Sequence, residues 1–378
     1  MEREPRPRVH FTPRAGHVGE LFGVLTSGGT YQVFYEYLSG HDPAWGCAVS
    51  DDLIIWTEQA AGSPPVDGSA RCGTVVAGPD GPVLFHTLDG GGVGRAVAPA
   101  GTATAVWHAE PSGPLLGGPP SGSTEIRDPF VFWAGSNWRM LLGASLHGGG
   151  AGVLQYHSAD LLNWSYDGVI VSRDGASWGC PRLFPLNGSW VLLLSSGSSA
   201  ELIYGIGNYD GMHFTARAWG AFGHGHFGPA VTFVDTAGRR CALARLGEDE
   251  AAAGQAGPGQ AGAGSAWAGS LSLPWVLSVR DDRLIATPHP NLDPYLISGA
   301  AGLTAAGGEV RDHGDLILTM PAGGETVLFA DADIVEVTVE GVSGLGVARR
   351  TGPTAPGVRF ARFGGAAPGF AAPRPGQP

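Results

Sequence analysis

Large aromatic residues recur along this chain at intervals near fifty. Trp56, Trp107, Trp164 and Phe214 are separated by 51, 57 and 50 residues, and Trp267 follows 53 later in a different local context. Two of them close matching segments, Ser50-Asp51-Asp52-Leu53-Ile54-Ile55-Trp56 and Ser158-Ala159-Asp160-Leu161-Leu162-Asn163-Trp164. A looser copy runs from Asn208 to Phe214, and in all three an aspartate precedes the aromatic by four residues. A period of this size is that of β-propeller blades, four-stranded sheets stacked around a common axis. One blade alone cannot bury both faces, whereas a closed ring buries them all. About five blades fit between residues 10 and 290. Short β-rich runs such as Tyr31–Tyr37 and Trp190–Leu194 read as their strands. The Asp–aromatic pairs are read as structural, the aspartate capping a hairpin turn and the aromatic anchoring a strand between blades.

The 63 glycines and 29 prolines lie between apolar runs, as in a turn-rich β protein. Residues 247–266 are low-complexity and read as a surface loop. Alternating runs at Asp315–Met320 and Val335–Val339 predict a small β-sandwich over 295–363. The Gly/Ala/Pro-rich end, 364–378, reads as a disordered tail. The predicted fold is therefore all-β: a propeller over 6–290, then a short C-terminal sandwich.

All 22 basic residues are arginine, so Schiff-base, pyridoxal and Walker-lysine chemistry is excluded. A net charge of −12 argues against a nucleic-acid partner. Cys47, Cys72, Cys180 and Cys241 are widely spaced and form no CxxC pair, so free thiols and no metal are expected. His224-Gly225-His226 could place two imidazoles on one face of a strand, but no third ligand is evident, and a polar pocket rim is preferred. The N-terminus shows no apolar signal region and no run suits a membrane span. A cytoplasmic protein without cofactors is expected, its acidic, lysine-free surface suiting a neutral small substrate or a protein partner.

Several short segments carry a resemblance, the first of them Arg6-Pro7-Arg8-Val9-His10-Phe11-Thr12-Pro13. Arg127-Asp128-Pro129 is an Arg-Asp-Pro triplet, and Trp178-Gly179-Cys180-Pro181-Arg182-Leu183-Phe184-Pro185-Leu186 follows about fifty residues later. Upstream, His17-Val18-Gly19-Glu20-Leu21-Phe22-Gly23 precedes Phe34-Tyr35-Glu36-Tyr37 and Trp45-Gly46-Cys47-Ala48, and Trp267-Ala268-Gly269 comes near the end. Together they resemble the landmarks of glycoside hydrolase family 32, which acts on fructosides such as sucrose, levan and inulin. The resemblance covers roughly residues 6 to 290. It implies a five-bladed propeller whose central funnel holds three carboxylates. Glu20 then stands at the nucleophile position, Asp128 at the transition-state stabiliser, and Gly179 where the family has its acid/base glutamate. Arg127, Glu36, Trp45, Trp178 and Trp267 are implied as substrate-binding residues.

Retaining glycosidases need two carboxyl groups about 5 Å apart, and glycine has no proton to give. Two functions follow, beside a third option of a new reaction on the same scaffold, since fold does not fix function. One is a fructoside hydrolase of β-fructofuranosidase type with an altered site and weak or lost turnover. The other is a propeller that binds a fructosyl unit or another glycan without cleaving it. Glu201, Asp174 and Glu36 are the carboxyl groups considered as replacements for the missing acid.

Overall fold

The computed structural model describes residues 6–39, 42–62, 71–89, 91–99, 107–109, 113–174, 178–196, 201–247, 267–350 and 352–364. The low-complexity stretch from 248 to 266 and the tail from 365 lie outside them. Five mainly antiparallel sheets form a five-bladed propeller, and two further sheets form a C-terminal sandwich. The innermost strands are Gly16–Ser27, Arg71–Gly78, Ser123–Trp133, Trp178–Leu186 and Phe227–Val234, each at the edge of its four-stranded antiparallel array. Each contacts the next, and the fifth contacts the first, so they close a ring around the funnel. Trp267–Ala268 pairs in parallel with Gly16–His17 and laces the last blade region to the first.

The fifty-residue period has a direct cause. Asp52 Oδ1 accepts from Ile54 N and Ile55 N at 2.8 Å each, and Asp160 Oδ1 accepts from Leu162 N and Asn163 N at 2.9 and 2.8 Å. Asp210 repeats the arrangement with Met212 N and His213 N. Each aspartate closes the turn before its blade's outermost strand, and the aromatic beyond it packs on the preceding blade. Trp164 meets Phe85 edge-on at 5.9 Å, and Trp107, which has Ala103 where the other repeats have aspartate, meets Phe34 at 5.8 Å. Phe214 shares a core with Leu141 and Val153 of the third blade. Trp56, on the first blade, packs against the cluster holding Val231 and Phe233 of the fifth.

The sandwich has a three-stranded sheet (Leu303–Ala306, Glu309–Asp312, Asp315–Thr319) and a six-stranded one. The latter runs Gly223–Gly225, Leu345–Arg349, Ile334–Val339, Thr326–Asp331, Val358–Phe363, Leu296–Ser298. One expectation changes here. The His224-Gly225-His226 segment is not a funnel rim: Gly223–Gly225 pairs in parallel with Leu345–Arg349 at the edge of the sandwich sheet. Gly225 has φ +65, which breaks the alternation needed to put both imidazoles on one face. The chain thus enters the second unit well before residue 290.

The junction is sealed by buried charge. His10 places Nδ1 3.0 Å from Asp331 Oδ2 and Nε2 2.8 Å from Glu336 Oε1. Asp331 also accepts the backbone N–H groups of Arg8, Val9 and His10. Glu336 accepts from Leu273 N and from Trp275 Nε1 at 2.6 and 2.7 Å. Burial alone would lower the His10 pKa, but the hydrogen bonds and charges of Asp331 and Glu336 outweigh it and raise it to about 9.

Candidate active site in the propeller funnel

Every innermost strand breaks register with its neighbour. The shifts fall between Val18 and Leu21, Arg71 and Gly73, Leu141 and Gly143 (opposite Arg127 to Phe130), Gly179 and Arg182, and Phe227 and Ala230. A bulge leaves an extra residue unpaired and re-aims its side chain. The residues so released are Glu20, Cys72, Asp128 and Cys180 on the first four blades. Proline follows at Pro129 and Pro181, and Pro229 lies in the fifth break, where a missing N–H costs the ladder nothing. Cys72, Asp128 and Cys180 have φ of +26, +59 and +46, in or near the left-handed region that non-glycine residues seldom adopt.

Asp128 is held from two sides. Its N–H donates to Thr87 Oγ1 at 2.8 Å, and its Oδ2 accepts from Cys180 N at 2.9 Å. The same oxygen lies 3.6 Å from Cys180 Sγ and 3.7 Å from Arg127 Nε. It also occupies the space beside Gly179: a Cβ built there would lie 2.5 Å from Asp128 Oδ2 and 3.1 Å from Ser195 Oγ. Gly19 stands in the same relation to Glu36, whose carboxylate covers it and accepts from Glu20 N at 3.4 Å. At both places a glycine makes room for a neighbouring carboxylate.

Glu20 shares the funnel. Its Oε1 lies 3.6 Å from Arg245 Nη1. Burial raises its pKa, Arg245 opposes the shift, and the charges of Glu36 and Asp128 add to it. Arg182 lies beneath, 5% exposed, donating to Gly73 O and Pro181 O with its guanidinium 5.2 Å over the Phe130 ring. Burial lowers its pKa, while Cys180, Asp128, Cys72 and Glu20 act in the opposite sense. The Cys72 thiol is pushed well up by its hydrogen bond to Cys180 and by burial.

The structure therefore gathers Glu20, Glu36, Asp128 and Arg127 at the funnel. Arg127 is already engaged, donating to Glu125 Oε2 at 3.1 Å and to Trp178 O at 3.0 Å. The tryptophans fit their implied role less well. Trp45 and Trp178 are each 1% exposed; Trp45 sits among Phe22, His86 and Trp107, and Trp178 stacks on Trp219. Both are core residues with no open face. Trp267 is half-buried, with the Arg6 guanidinium 4.9 Å over its ring. Asp174 is exposed at the outer edge of the third blade, and Glu201 opens the third strand of the fourth, opposite Ser196. Neither is among the atoms nearest Gly179. Two hollows along the N-terminal segment, lined by Arg6 and Arg8, include no funnel residue.

Four funnel residues escaped the sequence reading: Cys72, Cys180, Arg182 and Arg245. Cys72 and Arg245 belong to none of the aligned motifs. Arg182 lay inside the best-aligned segment, where the family has aspartate, and that difference was the available signal.

A five-bladed propeller with carboxylates on the inner strands of successive blades is the architecture of a class of glycosidases. The chain belongs to glycosyl hydrolase family 32: the model of that family's N-terminal domain matches residues 10–288. It is 30% identical over 247 residues to a levanase of Bacillus subtilis, covering 56% of this chain and 36% of the relative. It is 30% identical over 268 residues to sucrose-6-phosphate hydrolase of Escherichia coli, covering 63% and 56%. The chain thus spans between about a third and just over half the length of these curated relatives. In fold it is similar to sucrose-6-phosphate hydrolase of Lactobacillus gasseri, with TM-score 0.75, 16% identity and coverage of 94% and 90%. A Bombyx mori β-fructofuranosidase mutant solved with sucrose gives TM-score 0.74, 19% identity and coverage of 91% and 88%.

Proposed function

We propose that the funnel receives the fructosyl unit of a small carbohydrate and that hydrolysis there is weak or lost. The observation that carries this is Gly179. It stands where the family motif has its proton donor, and the Asp128 carboxylate fills the space in which any side chain would begin. Losing general acid catalysis typically costs about 10²–10⁴-fold in rate. Family membership and the fructoside-acting relatives support the ligand class. In this reading Asp128 holds sugar hydroxyls, and Glu20 lines the pocket as a carboxyl group whose pKa burial raises.

That last feature favours a second reading. Burial raises the Glu20 pKa, the direction that suits a general acid, and in this second reading Glu20 supplies the proton that Gly179 lacks. The two readings differ in rate. Calorimetry with fructose and sucrose should give millimolar binding, at roughly −4 kcal/mol, abolished in Asp128→Ala. Sucrose turnover should stay far below the ordinary enzymatic scale of about 10 s⁻¹. 4-Nitrophenyl fructoside, whose leaving group needs no acid, should be cleaved faster than sucrose. Sucrose turnover near the ordinary scale, falling as Glu20 is deprotonated, would favour the second reading. No heat with either sugar at tens of millimolar removes the ligand assignment.

A further inference from the structure

We propose that Cys72, Asp128 and Cys180 form a three-ligand site for a soft divalent cation of the zinc class, with its fourth position left for water or an oxygen of a funnel ligand. The two thiol sulfurs and a carboxylate oxygen all lie within 4.8 Å of one another. Cys180 Sγ and Asp128 Oδ2 are 3.6 Å apart. Tetrahedral zinc with Zn–S of about 2.3 Å and Zn–O of about 2.0 Å requires an S···O edge of about 3.5 Å. Two sulfurs and one oxygen select zinc-like ions over calcium or magnesium, which prefer all-oxygen shells.

Backbone geometry supports the same assignment. The three donors come from consecutive blades, at the same bulge of the innermost strand, and all three have positive φ. Conformations of that kind are strained for residues other than glycine and persist where the surroundings impose them. Here they turn three side chains toward one point. Charge also balances. Two thiol protons leave as the cation enters, so the cluster keeps one net negative charge, matched by the buried guanidinium of Arg182. The charges of Cys180, Asp128 and Cys72 all act to raise the Arg182 pKa against its burial.

The second Asp–Cys cluster shows what a filled site looks like. Asp235, Cys241 and His289 also lie within 4.8 Å of one another. There Arg239 Nε lies 2.6 Å from Asp235 Oδ2 and its Nη2 3.0 Å from His289 Nε2. His289 Nδ1 accepts from Asn291 N. A side-chain cation already occupies the place a metal would take.

The test uses the full reduced chain, freed of metal with a chelator and titrated with Co²⁺ and then Zn²⁺. One equivalent of Co²⁺ should give thiolate charge-transfer absorption, bleached by Zn²⁺. Cys72→Ser and Cys180→Ser should each weaken binding more than about 100-fold, since outer-shell changes alone reach roughly 10–100-fold. Cys241→Ala should leave it unchanged. A measurement that needs no variant is alkylation read by mass spectrometry: Zn²⁺ should shield Cys72 and Cys180 together. The proposal is overturned by any of three results: no thiolate absorption, unshielded cysteines, or a Cys72–Cys180 disulfide that persists under reductant. Binding that survives in the Cys72→Ser/Cys180→Ser double variant overturns it too.

Discussion

Two of the regions where this protein buries charge treat it in opposite ways. At the junction of propeller and sandwich, ionised groups meet partners at close range. Glu336 is fully buried and accepts three hydrogen bonds, and His10 is clamped between two carboxylates. In the funnel the matching is loose. The Arg245 guanidinium stands 3.6 Å from Glu20, and the Glu36 and Asp128 carboxylates sit over Gly19 and Gly179. A matched network fixes how units dock; a loosely matched one is what a ligand can complete. The same residue types thus serve assembly in one place and chemistry in the other.

The sharpest way to break this comparison is Glu336→Ala. It strands the Leu273 and Trp275 N–H groups and leaves a buried imidazolium short of one partner. Removing one member of a buried ion pair costs about 3–5 kcal/mol, so urea unfolding should show a loss of that size. A loss below about 1 kcal/mol, the value of an exposed pair, would mean that the junction is no better matched than the surface.

The pH dependence of stability tests the junction without removing a side chain. His10 is raised from 6.5 to about 9 in the folded protein. Its contribution is therefore complete below pH 6.5 and is lost as pH rises through 9. Between pH 6.5 and 8.5 the loss should be on the order of 2 kcal/mol. The thiols of Cys47 and Cys241, pushed to about 12 by burial, stay protonated in the folded state across that window. Asp331 is lowered to about 2 against its burial by His10 and backbone donors, so its contribution holds above pH 3.8 and fades below. Thermal unfolding at pH 6.5, 7.5 and 8.5 should fall steadily in the native chain and stay flat in His10→Gln. A slope that persists in His10→Gln assigns the titration to another group.

The two regions were also unequally legible in the sequence. Blade period, turn caps and interface aromatics are local patterns, and Asp52, Asp160, Trp107 and Trp164 perform in the structure the roles that their spacing implied. Asp128 and Glu20 were legible because motifs surround them. The junction was not, since His10 and its partners lie 321 and 326 residues apart and no local pattern records such a contact. The approach of Cys72, Asp128 and Cys180 to within 4.8 Å of one another was hidden for the same reason, since wide spacing in sequence carries no record of it. Trp45 and Trp178 were misread because a motif tryptophan can be kept for packing as readily as for a sugar face. The bulges left one trace: Pro129, Pro181 and Pro229 each sit inside an innermost strand, where proline marks a broken ladder.

The smallest expected effect bears most directly on the funnel. Restoring the family's glutamate at position 179 is the obvious attempt to recover turnover, yet the glycine is not an empty slot. A Cβ there would stand 2.5 Å from Asp128 Oδ2, so the carboxylate must move before any longer side chain can be accommodated. Gly179→Ala alone should cost about 1–3 kcal/mol, the range of overpacking. It should also weaken fructose binding, because the displaced oxygen is the one that Cys180 N holds. Gly179→Glu should be no more active than Gly179→Ala while Asp128 stays in place. If the clash is the cause, Asp128→Ala should relieve it, and the two substitutions together should cost less than their sum by about 1 kcal/mol or more in a double-mutant cycle. Strict additivity would show that the funnel absorbs a side chain at 179 without disturbing Asp128. The glycine would then be a simple loss of the acid, and Gly179→Glu should raise sucrose turnover on its own.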